Sequence, residues 1–286
     1  MKSGNKTAGQ IYNEALQQLK DNYFQHVGLT GVFYSAYMLF SSIIYIFFFV
    51  FYFLMIFGMM FPMFSLAGAA ASKGDTPAGA VMASVLLFLA VLAVLIFLMT
   101  VVAMAVTIAV CAVQTAVQRG VLTLVGGGKL SLRDVWGNFK ANWRRYLGVS
   151  AWITLWTFLW GLLFYVPGVV KYFSYMLAPY LVIEYPEMTV RQALRKSMEM
   201  TDGHKGKLFT ITLIMIGLSM AASVVASFGL VFATVAAMIV FIYPHYFAMN
   251  TIAYLDLKQA AIEKGILPPT RDALPDQAVE IAGEGV

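Results

Sequence analysis

The sequence predicts an all-α membrane protein with six transmembrane helices. Three observations support this fold class: 60% of the 286 residues are apolar, only 12% are charged, and the mean hydropathy is +0.78. Soluble domains carry about one quarter charged residues. A bilayer core about 30 Å thick requires roughly 20 apolar residues per helix, and several runs reach that length. The runs are continuous rather than alternating, so helices are favoured over strands.

Six apolar runs form the predicted transmembrane domain, residues 28–255. The first two runs exceed the length of a perpendicular crossing, so we expect them to tilt or to project from the membrane. The stretch from Pro62 to Gly79 is predicted to be a flexible outer loop. Pro167-Gly168 and Phe228-Gly229 predict tight outer turns that pair span three with four and span five with six. The predicted spans are 28–57, 80–117, 147–166, 169–183, 208–228 and 230–253.

The distribution of Lys and Arg predicts the orientation of the bundle. Of the 19 such residues, three lie in residues 1–27, six in 118–146, five in 184–207 and three after Tyr254. By the positive-inside rule these alternate gaps are cytoplasmic, and so are both termini, as an even number of spans requires. We therefore expect an amphipathic cytoplasmic segment at 1–27, without a cleaved signal peptide. Residues 256–286 are predicted to be a cytoplasmic tail that is disordered after Lys264.

Three cytoplasmic segments show helical spacing of apolar residues. Ser131 with Asp134 predicts an N-cap for the second segment, and Thr189 with Gln192 predicts a capping box for the third, which we expect to stop at Gly203. These helices either lie along the inner membrane interface or pack as connectors on the end of the bundle. The apolar positions are Ile11, Leu16, Leu19 and Tyr23, then Leu132, Val135, Trp136, Phe139 and Trp143, then Val190, Ala193, Leu194 and Met198.

The central third of the chain carries a motif of a turn, a kinked helix and a capped basic helix. Its residues are 131–134, 167–171, 175–180, 184–186, Ala193-Leu194, Ser197, 200–205 and Leu208-Phe209. This pattern resembles the uncharacterised bacterial integral-membrane family known as domain of unknown function 975, which is distantly similar to the membrane domain of glycerophosphodiester phosphodiesterases. The resemblance implies a six-helix protein of the bacterial cytoplasmic membrane and brings no activity with it.

Several classes of chemistry find no support in the sequence. Cys111 is the single cysteine, so it can form no intramolecular disulfide and no thiolate cluster. The three histidines are scattered, and no metal site, cofactor site or nucleophile motif is recognisable. The glycines before Lys129 do not have the spacing of a phosphate-binding loop. The net charge of +5 is explained by topology and anionic lipid, so we expect no nucleic-acid partner.

Ionisable and aromatic side chains within the spans are the candidate ligand contacts. His245 follows Pro244 near the middle of span six, where it would serve a proton relay or simply bond to a tyrosine or a freed carbonyl. Lys171 would attract an anionic group at a cavity mouth or extend to the outer headgroups. The tryptophans of span three repeat every four residues, along a groove or along an ordinary packing face. The predicted lipid or ligand contacts are Lys171, Tyr175, Pro179, His245, Trp152, Trp156 and Trp160.

A set of basic residues on the cytoplasmic side forms the second candidate site. Each cation near a charged membrane surface contributes on the order of 1 kcal/mol to the binding of anionic lipid. The alternative is that these charges only set the topology. The predicted contacts with anionic phospholipid are Arg144, Arg145, Arg191, Arg195, Lys196, Lys205 and Lys207.

These observations favour a non-enzymatic membrane protein, lipid-associated and acting as an accessory or interaction protein. Its expected partners are phospholipids with anionic headgroups, with a protein partner as an open alternative. The second hypothesis is a carrier or exporter of an amphiphile or peptide, with a pathway between the span three–four hairpin and span six. An intramembrane enzyme ranks last because no pair of general base and nucleophile can be named.

Overall fold

The computed structural model describes residues 6–73, 78–128, 131–163, 165–227 and 235–269, and the regular secondary structure of these residues is helical throughout. The long helices are α1 (Ala8–Lys73) and α2 (Ala78–Val125), followed by α3 (Leu132–Leu163). The shorter helices are α4 (Tyr165–Tyr175), α5 (Ala178–Glu184), α6 (Val190–Thr201) and α7 (Lys205–Ser227). A π-helical turn (Met238–Ile242) precedes α8 (Tyr243–Glu263).

Two units divide the chain, residues 1–34 with 108–286 and residues 35–107. In the first unit, one hydrophobic cluster joins every helix from α1 to α8. It includes Ile11 and Leu19 of α1, and its other large, fully buried members are Tyr146, Leu177, Tyr180, Leu181, Leu208, Ile211, Met249 and Tyr254. In the second unit the described apolar side chains are largely exposed, for example Phe49 and Leu87. Helices that are apolar all round are typical of lipid surroundings.

Five helical segments are long and apolar enough to cross a membrane. They are Val85–Val125, Leu132–Leu163, Val166–Glu184, Lys205–Val224 and Val235–Glu263. The protein is therefore an all-helical chain suited to a membrane. The predicted first span, 28–57, is helical, but the apolar helical segment in this region is shorter, Phe48–Gly58. The sixth span stays a prediction.

The predicted outer loop from Pro62 to Gly79 is wrong for most of its length. Helix α1 continues to Lys73 and α2 begins at Ala78; residues 74–77 lie outside the described part. The stretch 67–71 holds four alanines, and alanine has the highest helix propensity. The small residues of this stretch therefore extend a helix rather than open a loop.

The predicted turn at Pro167-Gly168 is also wrong. Both residues lie in the first turns of α4, where proline is tolerated because the N–H it lacks has no intrahelical partner. A Cβ added to Gly168 would lie 2.9 Å from the Cα of Gly161. Gly168 thus permits close contact of α3 with α4, and the chain reverses before it. The predicted turn at Phe228-Gly229 lies outside the described residues.

Predicted span four, 169–183, is two helices rather than one. A turn at Met176 and Leu177 separates α4 from α5, and Pro179 occupies the first turn of α5. Proline disfavours helical conformation at the residue before it and removes one backbone donor, which explains the break at this point.

The predicted capped helices are confirmed, with one change. Thr189 and Gln192 form a reciprocal capping box, α6 ends at Thr201, and Gly203 has a φ of 75°. Ser131 accepts a bond from the Arg133 N–H while Asp134 accepts one from the Ser131 N–H. The amphipathic segment at 132–143, however, is continuous with span three in α3. The first and third segments bury their apolar faces in the main cluster, which supports their role as packed connectors.

The prediction of disorder directly after Lys264 is wrong for the residues that the structure describes. Leu267 is buried, and the carbonyl of Pro268 accepts a bond of 3.0 Å from the Tyr185 hydroxyl. The chain therefore contacts the rest of the first unit as far as Pro268, and residues 270–286 lie outside the described part.

Candidate functional site

A partly open cavity of about 100 Å³ lies in the first unit. Most of its wall is apolar, but several polar side chains border it, and we call it the polar cavity for those side chains. Helix α2 contributes Gln114 and Gln118, and α8 contributes Tyr246 and Asn250. Each pair is four residues apart, so both members point from the same face of their helix. The remaining walls come from α3, α4 and α5, and they include the side chains of Ser150, Tyr172, Pro179 and Tyr180.

Two amide oxygens of this cavity have no hydrogen-bond partner. Gln118 is 8% exposed and Asn250 is 4% exposed. The Oε1 of Gln118 and the Oδ1 of Asn250 accept no bond from any described residue. A buried polar group left without a partner costs about 1–3 kcal/mol. Such positions normally have an occupant that supplies the missing bonds, or a function that justifies the cost.

The cavity is neutral. Among the described residues that line it, none is acidic, basic or a histidine. Its hydroxyl groups are partly engaged already: Tyr180 and Thr251 share a bond of 3.3 Å, and Thr115 donates to the Cys111 carbonyl at 2.9 Å. Cys111 also borders the cavity, so the single thiol of the chain reports on this space.

A cluster of charges ties the helices together at one end of the first unit. Lys207 and Asp256 join α7 to α8 at 2.9 Å, and Glu184 and Lys258 join α5 to α8 at 2.7 Å. The hydroxyl of Tyr254 also donates to Glu184. These are partly buried pairs, and loss of one partner would leave the other charge uncompensated.

Arg145 holds the loop between α5 and α6. Its guanidinium donates to the carbonyl oxygens of Tyr185 at 2.8 Å and Met188 at 2.6 Å, and also to that of Pro186. The pKa of Tyr185 is raised to about 12 by burial and by the charges of Glu184 and Glu187, so its hydroxyl stays protonated. Arg145 and Lys207, two predicted lipid contacts, thus have partners within the protein.

The other predicted lipid contacts lie on or near the surface. Arg144 stands over the ring of Trp143 at 5.4 Å, and Arg191 stands over the ring of Trp152 at 5.7 Å. Arg195 and Lys196 both pair with Glu199, whose pKa is lowered mainly by the hydrogen bond from Lys196. Lys205 is half-buried at the start of α7.

A further pair of the same kind was not predicted. Lys140 stands over Trp136 at 5.5 Å. Trp136 is 57% exposed and Trp143 is 45% exposed. Two exposed tryptophans, each beside a cation, therefore lie within the first half of α3. This combination is typical of the membrane–water interface, where tryptophan accumulates.

The predicted tryptophan stripe on α3 ends with another contact between a cation and a tryptophan ring. Trp152 and Trp156 stack at 6.1 Å, and Lys171 lies 5.3 Å from the ring of Trp160. Tyr175 is buried at the end of α4. None of these five residues lines the polar cavity; of the predicted ligand contacts only Pro179 does.

His245 is bound next to the π-helical turn. Its Nδ1 is paired with the Phe241 carbonyl, and its ring stacks on Tyr12 at 6.4 Å. Pro244 cannot donate to the Val240 carbonyl, which instead accepts a bond of 2.9 Å from the Tyr23 hydroxyl. The freed carbonyl and the histidine are therefore both satisfied locally, although His245 precedes the cavity residue Tyr246.

Sequence reasoning missed the cavity residues Gln114, Gln118 and Asn250. The sequence does contain a signal for them: Gln114 and Asn250 are amides within predicted apolar spans, which is unusual, and Gln118 follows Gln114 by four residues. Among the described residues, no three His, Cys, Asp or Glu side chains gather closely enough to hold a metal ion.

Comparison of the chain with protein-family models, with curated proteins and with solved structures found no match. The resemblance to domain of unknown function 975 stays a prediction that depends on the motif residues alone.

Proposed function

We propose that this chain is a non-enzymatic protein of the bacterial cytoplasmic membrane that binds anionic phospholipid on its cytoplasmic side. In this proposal α1 supplies a sixth span, residues 28–57, and both termini are cytoplasmic. The charged cluster and the basic loops then lie on the inner side. The protein acts as a lipid-associated accessory or interaction protein.

The observation that carries the proposal is the pairing of exposed tryptophans with cations on α3. Trp136 with Lys140 and Trp143 with Arg144 present an aromatic face and a positive charge together. Indole rings sit at headgroup level, and adjacent cations attract anionic headgroups. Arg145 and Lys207 contribute less to this surface, because they bind groups within the protein.

The test is a lipid titration followed by native mass spectrometry of the purified protein in detergent. Replacing Lys140 and Arg144 by Gln removes two cations, each contributing about 1 kcal/mol. We expect roughly 30-fold weaker binding of phosphatidylglycerol and unchanged binding of phosphatidylcholine.

The matched control carries Lys20→Gln and Lys264→Gln. Both lysines are exposed and, in the proposed topology, cytoplasmic, so the control changes the net charge equally without touching a tryptophan pair. It should retain phosphatidylglycerol binding. Equal losses of phosphatidylglycerol binding in the two variants would mean that net charge alone explains the effect. No loss of binding in either variant would refute the lipid-binding proposal.

The polar cavity favours a second candidate function, transport of an amphiphile or peptide. The cavity lies among α2, α3, α4, α5 and α8, close to the pathway expected between the span three–four hairpin and span six. Lys171, His245 and Trp152 do not line it, which weakens this alternative. Reconstituted protein that moves no amphiphile across a vesicle membrane would exclude it.

A further inference from the structure

We propose that the polar cavity of the first unit binds a neutral, polyhydroxylated group. This site is independent of the lipid contacts on α3. If those contacts fail their test, the proposal for the cavity is unaffected. The starting point is the pair of unpaired amide oxygens, Gln118 Oε1 and Asn250 Oδ1, on two helices that face the same space.

The cavity walls require an occupant that forms hydrogen bonds. The helices that border the cavity all belong to segments suited to cross a membrane. Lipid tails cannot form hydrogen bonds as water does, so a polar side chain without a partner in the protein raises the free energy of the folded state there. Gln118 and Asn250 are more than nine-tenths buried, so bulk solvent does not satisfy them. An occupant inside the cavity must supply the missing bonds.

The absence of charge on the described walls selects a neutral occupant. A buried ion without a counter-charge carries a desolvation cost of several kcal/mol. A carboxylate, phosphate or ammonium group therefore does not fit, whereas a hydroxyl group does. Hydroxyls both donate and accept, as do the amides of Gln114 and Gln118 and the hydroxyls of Tyr172 and Tyr246 that surround the space.

The volume of the cavity and the apolar part of its wall further restrict which group can occupy it. A water molecule needs on the order of 10–15 Å³ of cavity volume, so about 100 Å³ accommodates a group larger than one water. Ile153, Met176 and Leu177 form the apolar side of the cavity and suit the carbon skeleton of a polyol. The group comes either from a free polyol or from the headgroup of a glycolipid.

The single thiol provides the measurement. Cys111 borders the cavity, so an occupant slows its alkylation by a small, membrane-permeant maleimide. One arm of the experiment uses free glycerol and glucose, and a second uses nanodiscs that contain monoglucosyl diacylglycerol. Nanodiscs of phosphatidylcholine, which has no hydroxyl group, serve as the blank. At ten times the dissociation constant we expect about tenfold slower labelling.

Two substitutions test the amide oxygens. Gln118→Leu and Asn250→Leu each remove an unpaired acceptor, so they should weaken the protecting ligand about tenfold. In the absence of ligand, each should raise the midpoint of thermal unfolding, because a costly buried group is gone. Gln17→Leu, at an exposed amide of α1, is the control and should retain protection.

The outcomes separate the possibilities. Protection by the sugar lipid alone assigns a headgroup site, and protection by the free compounds assigns a polyol site. The third outcome is that neither the sugar lipid nor the free compounds slow the labelling of Cys111 or raise the unfolding midpoint of the parent protein. The cavity then holds only water, and the inference is overturned. Protection that persists in Gln118→Leu and Asn250→Leu also overturns it.

Discussion

At the scale of single residues, His26 is the clearest departure from ordinary burial. Its side chain is 0% exposed, and neither ring nitrogen has a hydrogen-bond partner among the described residues. Burial lowers its pKa from 6.5 to about 4. The folded protein therefore holds this imidazole neutral, at a pH where the unfolded chain would already protonate it.

We expect this histidine to weaken the fold in acid. Between about pH 6.5 and pH 4 the unfolded state binds one more proton than the folded state, so stability falls as the pH drops through that window. The loss contributed by His26 approaches about 3 kcal/mol below pH 4. In His26→Phe the thermal unfolding midpoint in detergent should depend less on pH between 7 and 4.5. An unchanged pH profile would contradict this assignment.

The same scale shows why the candidate site was only partly predictable from sequence. The ionisable groups predicted as ligand contacts within the spans are Lys171 and His245, and each has a neighbouring ring or carbonyl as its partner. The unpaired groups are the neutral amides of Gln118 and Asn250. Whether an amide forms a hydrogen bond depends on how helices distant in the chain pack against it. The composition of the sequence does not show that packing.

At the scale of elements, local hydrogen bonds were predictable and contacts between helices were not. The caps at Ser131 and Thr189 follow from side chains within three residues. The role of Gly168 was misread, because its close contact with Gly161 depends on how α4 packs against α3. Proline and glycine together favour a turn on average, and here tertiary packing overrides that preference.

Arg145 provides a test at this scale, because one side chain holds three carbonyls of the loop between α5 and α6. Arg145→Lys keeps the charge but loses the planar fork of donors. With hydrogen bonds to charged groups contributing about 1.5–3 kcal/mol each, we expect the free energy of unfolding to fall by about 2 kcal/mol. An SDS titration of detergent-solubilised protein measures the change.

The neighbouring exchange Arg144→Lys is the control. Arg144 is exposed and its interaction is with Trp143, so this variant should stay within about 0.5 kcal/mol of the parent. Equal destabilisation by the two substitutions would mean that the loop is not held by Arg145.

At the scale of the whole molecule, the part of α3 that runs from Arg145 to the end of the helix defines the two sides of the proposed topology. From Arg145 to Leu163, the last residue of α3, 18 residues at 1.5 Å each extend about 27 Å. This is close to the thickness of a bilayer core, about 30 Å. The charged cluster lies at the Arg145 end, and the reversal into α4 lies at the other.

The two ends of this segment should therefore lie on opposite sides of the membrane. Labelling of intact cells with a membrane-impermeant maleimide tests this. In a Cys111→Ser background, Val166→Cys marks the reversal, where the native side chain is 70% exposed. Arg195→Cys marks α6, where the native side chain is 79% exposed. We expect Val166→Cys to react in intact cells and Arg195→Cys to react only after lysis. The reaction after lysis also shows that the thiol of Arg195→Cys is reactive. Labelling of Arg195→Cys from outside would invert the orientation and place the tryptophan–cation pairs of α3 on the outer leaflet.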